Sequence, residues 1–460
     1  AIGDSALNLA TTASYNTAVG GSALRANTTG HSNVAVGNSA LDANISGNYN
    51  LAVGRDSLGG NTTGAGNISV GASTLLTNTT GGDNVAMGND ALRANTTASN
   101  NSAFGNASLQ ANTTGTGNVA MGSVALDANT TGNYNVAVGR NALGANTTGH
   151  NSVAIGTEAL LTNTVASDNV AIGFRALKLN TTGSGLNALG EAALSANTTG
   201  SDNTAMGTNA LFANTTGTTN TAVGKSALTA NTTGSSNTMM GANAGVAVTT
   251  GSSNTIVGKN AGEASTTGDY NTFLGRDSGY NTTTGNNNIA IGWAARSTGV
   301  DVSNSITLGA NLAGAENDFT FGKASNTVYN TFTANASWSR VSDERRKTNI
   351  ADATLGLNFI NDLSTKTFQW KENKDFPTTF NDYQSSDDAD YVNHMDTDVV
   401  LHGMLAQDVK AALDTAGVTT FGGWQERPDG QQCISQEMFI YPLIKAIQEL
   451  SDKVTALENA

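Results

Sequence analysis

A glycine returns every 17 residues from Gly3 to Gly309, nineteen times, without one insertion or deletion. An invariant spacing over so long a stretch means that each unit occupies a fixed length of path in space. Solenoids and stacked coils behave this way, because an extra residue would break register with both neighbours. The unit reads roughly N-x-A-hydrophobic-G-x-x-A-L-x-x-N-T-T-G-x-x, as in Asn118-Val119-Ala120-Met121-Gly122 followed by Ala125-Leu126 and Asn129-Thr130-Thr131-Gly132. The residue before the periodic glycine is apolar in all nineteen copies, and leucine holds the slot four after it fourteen times running, Leu7 to Leu228. Two sizeable apolar anchors cannot give one repeat a core of its own. Stacked copies can form one, by laying like residues into continuous ladders.

Composition narrows the choice. Glycine is 53 of 460 residues, proline only 3, and charged residues 13%, which fits neither collagen nor a charged disordered linker. Helical periodicity is absent. The unit reads as two strand-length pieces separated by G-x-x and T-T-G punctuation, and N-V-A-V-G alternates with the period of a strand. The turn glycine (Gly30, Gly47, Gly64 and on to Gly285) is expected to need a positive φ, with Ala98 and Ala166 as exceptions. One coil per 17 residues at about 4.7–4.9 Å per stacked strand makes a rod on the order of 90 Å.

Asn151-Ser152-Val153-Ala154-Ile155-Gly156 resembles the repeat of trimeric autotransporter adhesin heads. That resemblance covers roughly residues 1–309 and implies a left-handed parallel β-roll in a homotrimer. The unit here is longer than usual for those heads and carries the additional T-T-G turn. The fold class expected is therefore an all-β solenoid shaft of 17-residue coils (1–309), a neck (310–341) and a small α+β domain (342–460) ending in a coiled-coil helix.

One covariation bears on the interior. At Gly245, Gly262 and Gly279 the leucine slot becomes glycine, and in the same units the alanine two before the periodic glycine becomes Met239, Ile256 and Phe273. Volume lost at one slot is regained at the other, so the two share a packing space, within a coil or across a chain interface.

From Ser342 the composition changes: residues 342–460 carry 20 of the 36 acidic residues, all three prolines and the only cysteine, Cys433. The stretch opens Ser342-Asp343-Glu344-Arg345-Arg346-Lys347, which matches the S-D-x-R-x-K motif of the phage endosialidase-type intramolecular chaperone. Gly403-Met404-Leu405-Ala406-Gln407-Asp408-Val409 resembles that family's G-x-x-A-Q-E-V stretch, with Asp for Glu, and Leu443–Leu450 resembles its closing helix. The family is a self-cleaving C-terminal domain of viral tail fibres and tailspikes. The resemblance makes Ser342 the nucleophile and Lys347 the base, cutting between Val341 and Ser342, with Asp343 and Arg345 supporting the motif. A lysine can take a serine proton only when neutral, so Lys347 needs burial or nearby cations such as Arg345 and Arg346 to lower its pKa. Ile440, Leu443, Ile447, Leu450, Val454 and Leu457 form a heptad seam, with the helix starting beside Pro442. A seam of this kind favours two strands in isolated coils; the resemblance implies three.

Other signals carry less. The N-T-T triplets fit the N-glycosylation pattern, but as periodic turn residues they read as side chains capping backbone groups. Threonines beside turn glycines rather than on a flat strand face argue against ice binding, and the repeat lacks the periodic Asp of calcium rolls. His31, His150, His394, His402 and the lone Cys433 form no metal spacing, so no metal and no cofactor is expected. The net charge of −14 and the lack of a basic patch oppose nucleic-acid binding. No apolar stretch has membrane-spanning length, so no membrane insertion is expected. The chain begins inside a repeat, and a region attaching it to a virion is expected to precede Ala1.

These readings converge on a trimeric phage tail fibre or spike. It would be assembled in the host cytoplasm, carried on the virion, and engage a glycan or protein receptor on the host surface. One alternative is a fragment of a glycan-degrading tailspike, whose enzyme needs paired carboxylates in a groove. Another is a bacterial surface adhesin, which predicts a C-terminal membrane barrel.

Overall fold

The computed structural model describes residues 1–323, 326–331, 339–340, 348–380, 383, 385, 397–427 and 430–460. The chain divides into two compact units, Ala1–Val341 and Ser342–Ala460.

The first unit is the solenoid that the glycine period predicts. Each repeat contributes one three-residue strand, from Thr17–Val19 (β1) to Ile289–Ile291 (β17), and neighbours pair in parallel in the 17-residue register, as Val136↔Val153 and Ala137↔Ala154. The second expected strand piece is instead a run of turns, tied to the next coil by backbone bonds such as Leu41 N–H to Ser57 O (2.9 Å) and Thr28 N–H to Ile45 O (3.0 Å). The chain changes direction at left-handed residues. In one coil these are Ser39 (φ 56°), Leu41 (56°) and Tyr49 (58°), with Gly37 at 138°. Only the last of these conformations demands glycine; a Cβ at Gly37 would also come within 2.7 Å of the Gly54 carbonyl carbon.

The turn glycines have a different reason from the one expected. Gly30, Gly47 and Gly64 lie outside the left-handed region; a Cβ there would meet the next coil's carbonyl oxygen and the coil's own Asn side chain. Close stacking, not φ, selects glycine, and the buried Ala98 and Ala166 show that the approach yields enough for a methyl.

The interior is built of ladders. Within N-V-A-V the alanine points in, with Ala35, Ala120 and Ala154 fully buried, and so do the leucines from Leu24 to Leu228. The N-T-T asparagines are buried too: Asn44 Nδ2 donates to Asn27 Oδ1 (2.8 Å) and to Gly47 O (3.0 Å), and the pattern repeats coil after coil. A second Asn ladder runs before the strands, where Asn33 Oδ1 accepts from Asn50 N–H (2.9 Å) and Asn33 Nδ2 donates to Gly47 O (2.9 Å). These satisfied amides replace the core that a 17-residue coil cannot otherwise fill. They also account for the N-T-T triplets, whose asparagines, the half-buried Asn281 apart, are inaccessible in the fold. Where Val248 interrupts the first ladder, Asn231 Oδ1 is left without a partner.

The covariation resolves within the coil. A Cβ at Gly245 would lie 3.0 Å from Met239 Sδ, and one at Gly262 would lie 2.7 Å from Ile256 Cδ1; the Phe273 ring fills the space at Gly279. Leu228→Gly should therefore cost about 3 kcal/mol through the cavity it leaves, less about 1 kcal/mol for relief of its left-handed φ. Ala222→Met alone should cost about 1–3 kcal/mol by overpacking. The double variant is expected to fall short of the summed cost by about 2 kcal/mol; additivity in a double-mutant cycle on unfolding would contradict shared packing.

The series closes with Ile306–Ala310 (β18), which pairs in parallel with β17, and Asp318–Lys323 (β19), which joins β18 after a shortened step of 13 residues. Asn326–Thr331 (β20) then runs antiparallel to β19, and Ser339–Arg340 (β21) antiparallel to β20, ending the parallel stack. All three of these strands fall within the neck expected at 310–341.

The second unit is α+β. Helices Leu357–Asp362 (α1), Ala406–Thr415 (α2) and Ile440–Glu458 (α3) accompany two antiparallel ribbons, Lys366–Phe368 with Leu401–Gly403 and Trp424–Glu426 with Gln432–Ile434. Its core gathers Leu355, Phe359, Val409, Leu413 and Phe439, with Phe359 stacked on Phe439 (6.3 Å) and Phe421 edge-on to both.

Candidate cleavage site and self-association surfaces

The apolar residue before each periodic glycine faces outward. Strand alternation buries the alanine and turns its neighbour to the surface, so Val36, Met121 and Leu274 are 37%, 45% and 46% exposed. Since all nineteen copies are apolar, the shaft carries a continuous hydrophobic column along one strand face. Sequence reasoning placed this anchor in the core. Apolarity alone does not separate a chain's own interior from a surface meant to be covered.

Charges on the shaft pair across coils. Arg25 bonds Asp42 of the next coil through both Nε and Nη2 (2.8 and 3.0 Å), which raises its pKa. Glu158 gathers Lys178 (3.0 Å) and Arg175 (2.9 Å), and their bonds hold its carboxyl below the ordinary range. Burial raises the pKa of Asp127. The Arg25 and Glu158 pairs are axial ties between neighbouring coils.

In the second unit the predicted heptad seam lies on α3, with Pro442 in its first turn as expected. Ile440, Leu443, Ile447, Leu450, Val454 and Leu457 are all exposed, while Pro442 and Ala446, which flank the seam, are buried. The helix is fixed to its own unit by Glu449, whose Oε2 accepts the Leu357 N–H (2.8 Å) at the start of α1. Gly356 leaves room for that carboxylate; a Cβ there would collide with it. Sequence reasoning missed this anchor, since its partner is a main-chain amide 92 residues away. The Gly403–Val409 stretch runs from a strand end into α2, where Val409 is fully buried and Asp408 Oδ2 accepts from Ser364 Oγ (2.9 Å). The Asp in this stretch thus has a positioning role between segments.

Val341, Ser342, Asp343, Arg345 and Lys347 lie outside the described residues, as does His394; His402 is an exposed strand residue opposite Thr367. Ser339–Arg340, paired with Val328 and Tyr329, ends one residue before the predicted cut.

Residues 342–418 match the model of the peptidase S74 family, described as the chaperone of endosialidase. The match takes in both the Ser342–Lys347 motif and the Gly403–Val409 stretch and stops short of α3. No curated protein and no solved structure matches the chain. A β-solenoid shaft with this match at its C-terminal end fits a tail-fibre- or tailspike-type protein that carries its own chaperone.

Proposed function

We propose that the chain is a homotrimeric phage tail fibre or spike with a host-recognition role. Its C-terminal unit brings three copies together and then releases itself. The observation that carries this reading is the exposed apolar column of the shaft, matched in the second unit by an exposed heptad seam. Uninterrupted apolar surface of this length needs a cover, and a repeating column is best covered by the same column of another copy. Three copies rather than two is what the resemblance to the endosialidase-type chaperone implies; the seam by itself favours two. The receptor is a glycan or protein on the host surface.

The chemistry of release follows from residue types. With Lys347 neutral, its amine takes the Ser342 hydroxyl proton as Oγ attacks the Val341 carbonyl carbon. The Val341–Ser342 C–N bond breaks, the freed Ser342 amine accepts the proton, and water hydrolyses the resulting ester. The net change is one peptide bond and one water converted to a carboxylate at Val341 and an ammonium at Ser342.

Light scattering of the full chain should give three copies. A chain expressed without residues 342–460 should give monomers or aggregates, because long parallel stacks assemble slowly from non-local contacts and expose edges while they do so. A soluble native trimer from the truncated chain, or a monomeric full chain, would contradict the chaperone role.

A further inference from the structure

Four of the five tyrosines in residues 1–309 fall in one column, at the corner two residues before each strand. Tyr15, Tyr49, Tyr134 and Tyr270 all have φ of 57–58°. They are 88%, 66%, 65% and 64% exposed. Elsewhere the column holds small or polar residues, such as Ser32, Asn151 and Asp168. A bulky side chain in the left-handed region is strained, and an exposed one gains little burial in return. Four such residues at the same corner do not serve the fold, and strain retained without structural benefit points to function.

The Tyr134 ring shows what the corner offers. It occupies the space over Gly117 of the preceding coil, where a Cβ would come within 2.7 Å of its Cδ1 and 2.8 Å of its Cε1. The ring is thus backed by the shaft while most of the residue stays open to solvent. Beside it, on successive coils, stand exposed His150, Asn151 and Asp168, with Asn151 Nδ2 donating to Asp168 Oδ1 (3.2 Å). Tyr49 has His31 against it edge to face at 5.0 Å.

We infer that this corner is a row of glycan-binding subsites, each built on one tyrosine; the inference rests on the host-recognition reading. The C–H bonds on one face of a pyranose lie flat on the negative face of an aromatic ring, and neighbouring amide, carboxylate and imidazole groups bond the hydroxyls. A protein partner fits less well, because the rings stand two, five and eight coils apart and form no contiguous apolar patch of the size such an interface needs. Weak separate subsites suit a repeating polysaccharide, where multivalency supplies the affinity.

The test is binding of the full-length protein to an array of bacterial surface polysaccharides. Three chains are compared: wild type, a variant with all four tyrosines changed to Asn, and one with all four changed to Phe. Asn tolerates the left-handed conformation, so the Asn variant should melt no lower than wild type while binding at least tenfold more weakly; the Phe variant should bind within threefold of wild type. Undiminished binding by the Asn variant overturns the ridge and leaves host recognition standing, and a clear fall in its melting temperature overturns the claim that the rings do not serve the fold. A wild-type chain that binds no polysaccharide overturns the glycan class. Adsorption to whole bacteria that survives periodate but not protease does the same, marking a protein receptor.

Discussion

Gly156→Ala should break the shaft, while Gly144→Ala, twelve residues earlier, should leave it intact. Gly156 has a φ of 134°, and a Cβ there would run into the Gly173 carbonyl of the next coil and approach Phe174 N to 3.2 Å. Both obstacles are backbone, held by the parallel pairing of Val153–Ile155 with Val170–Ile172, so neither can move without opening the ladder. The cost should exceed about 4 kcal/mol, at the extreme of single substitutions. Gly144 is not left-handed; a Cβ there would meet Asn141 O and Leu161 Cδ1 at 3.4 Å, an ordinary contact. Its change should stay within about 0.5 kcal/mol, like other surface substitutions. Thermal unfolding of the two variants beside wild type checks this. Equal stability would mean that the glycine period does not reflect stacking.

The same pair of residues shows what the sequence made legible. A period without exceptions exposes a constraint that every coil shares, so the coil length, the ladders and the linked leucine and alanine slots were readable. Features that depend on which way a residue faces were not. Val36 and Met121 looked like core and lie outside, because an interface and an interior ask for the same side chains. Gly64 looked like a turn residue chosen for φ and is chosen for proximity to Gly81. Tyr49 gave no sign of its left-handed corner, since nothing in the repeat distinguishes a strained position from an easy one. In the second unit the heptad on α3 was readable from spacing. The Glu449 anchor was not, since a carboxylate bonded to a distant main-chain amide leaves no pattern.

The second large effect concerns maturation. On the proposed reading a covalent clamp holds three chains in register while they wind, and its removal afterwards deletes the route back. The released shaft is then held by its unfolding barrier rather than by its equilibrium stability. Ser342→Ala removes the nucleophile and Lys347→Ala the base, so both should abolish cutting while leaving assembly intact. On the proposed reading assembly rests on surfaces such as the α3 seam, to which neither residue belongs. Uncut trimers should unfold and refold more reversibly than cut ones, because the clamp is still attached.

The central claim is that the folded chain cuts itself before Ser342, and a denaturing gel of purified wild type beside Ser342→Ala, with N-terminal sequencing of any fragment, tests it most directly. Wild type should yield two polypeptides, the smaller beginning Ser342-Asp343-Glu344, and Ser342→Ala a single full-length chain. A full-length wild-type chain, or the same fragment from Ser342→Ala, would contradict it.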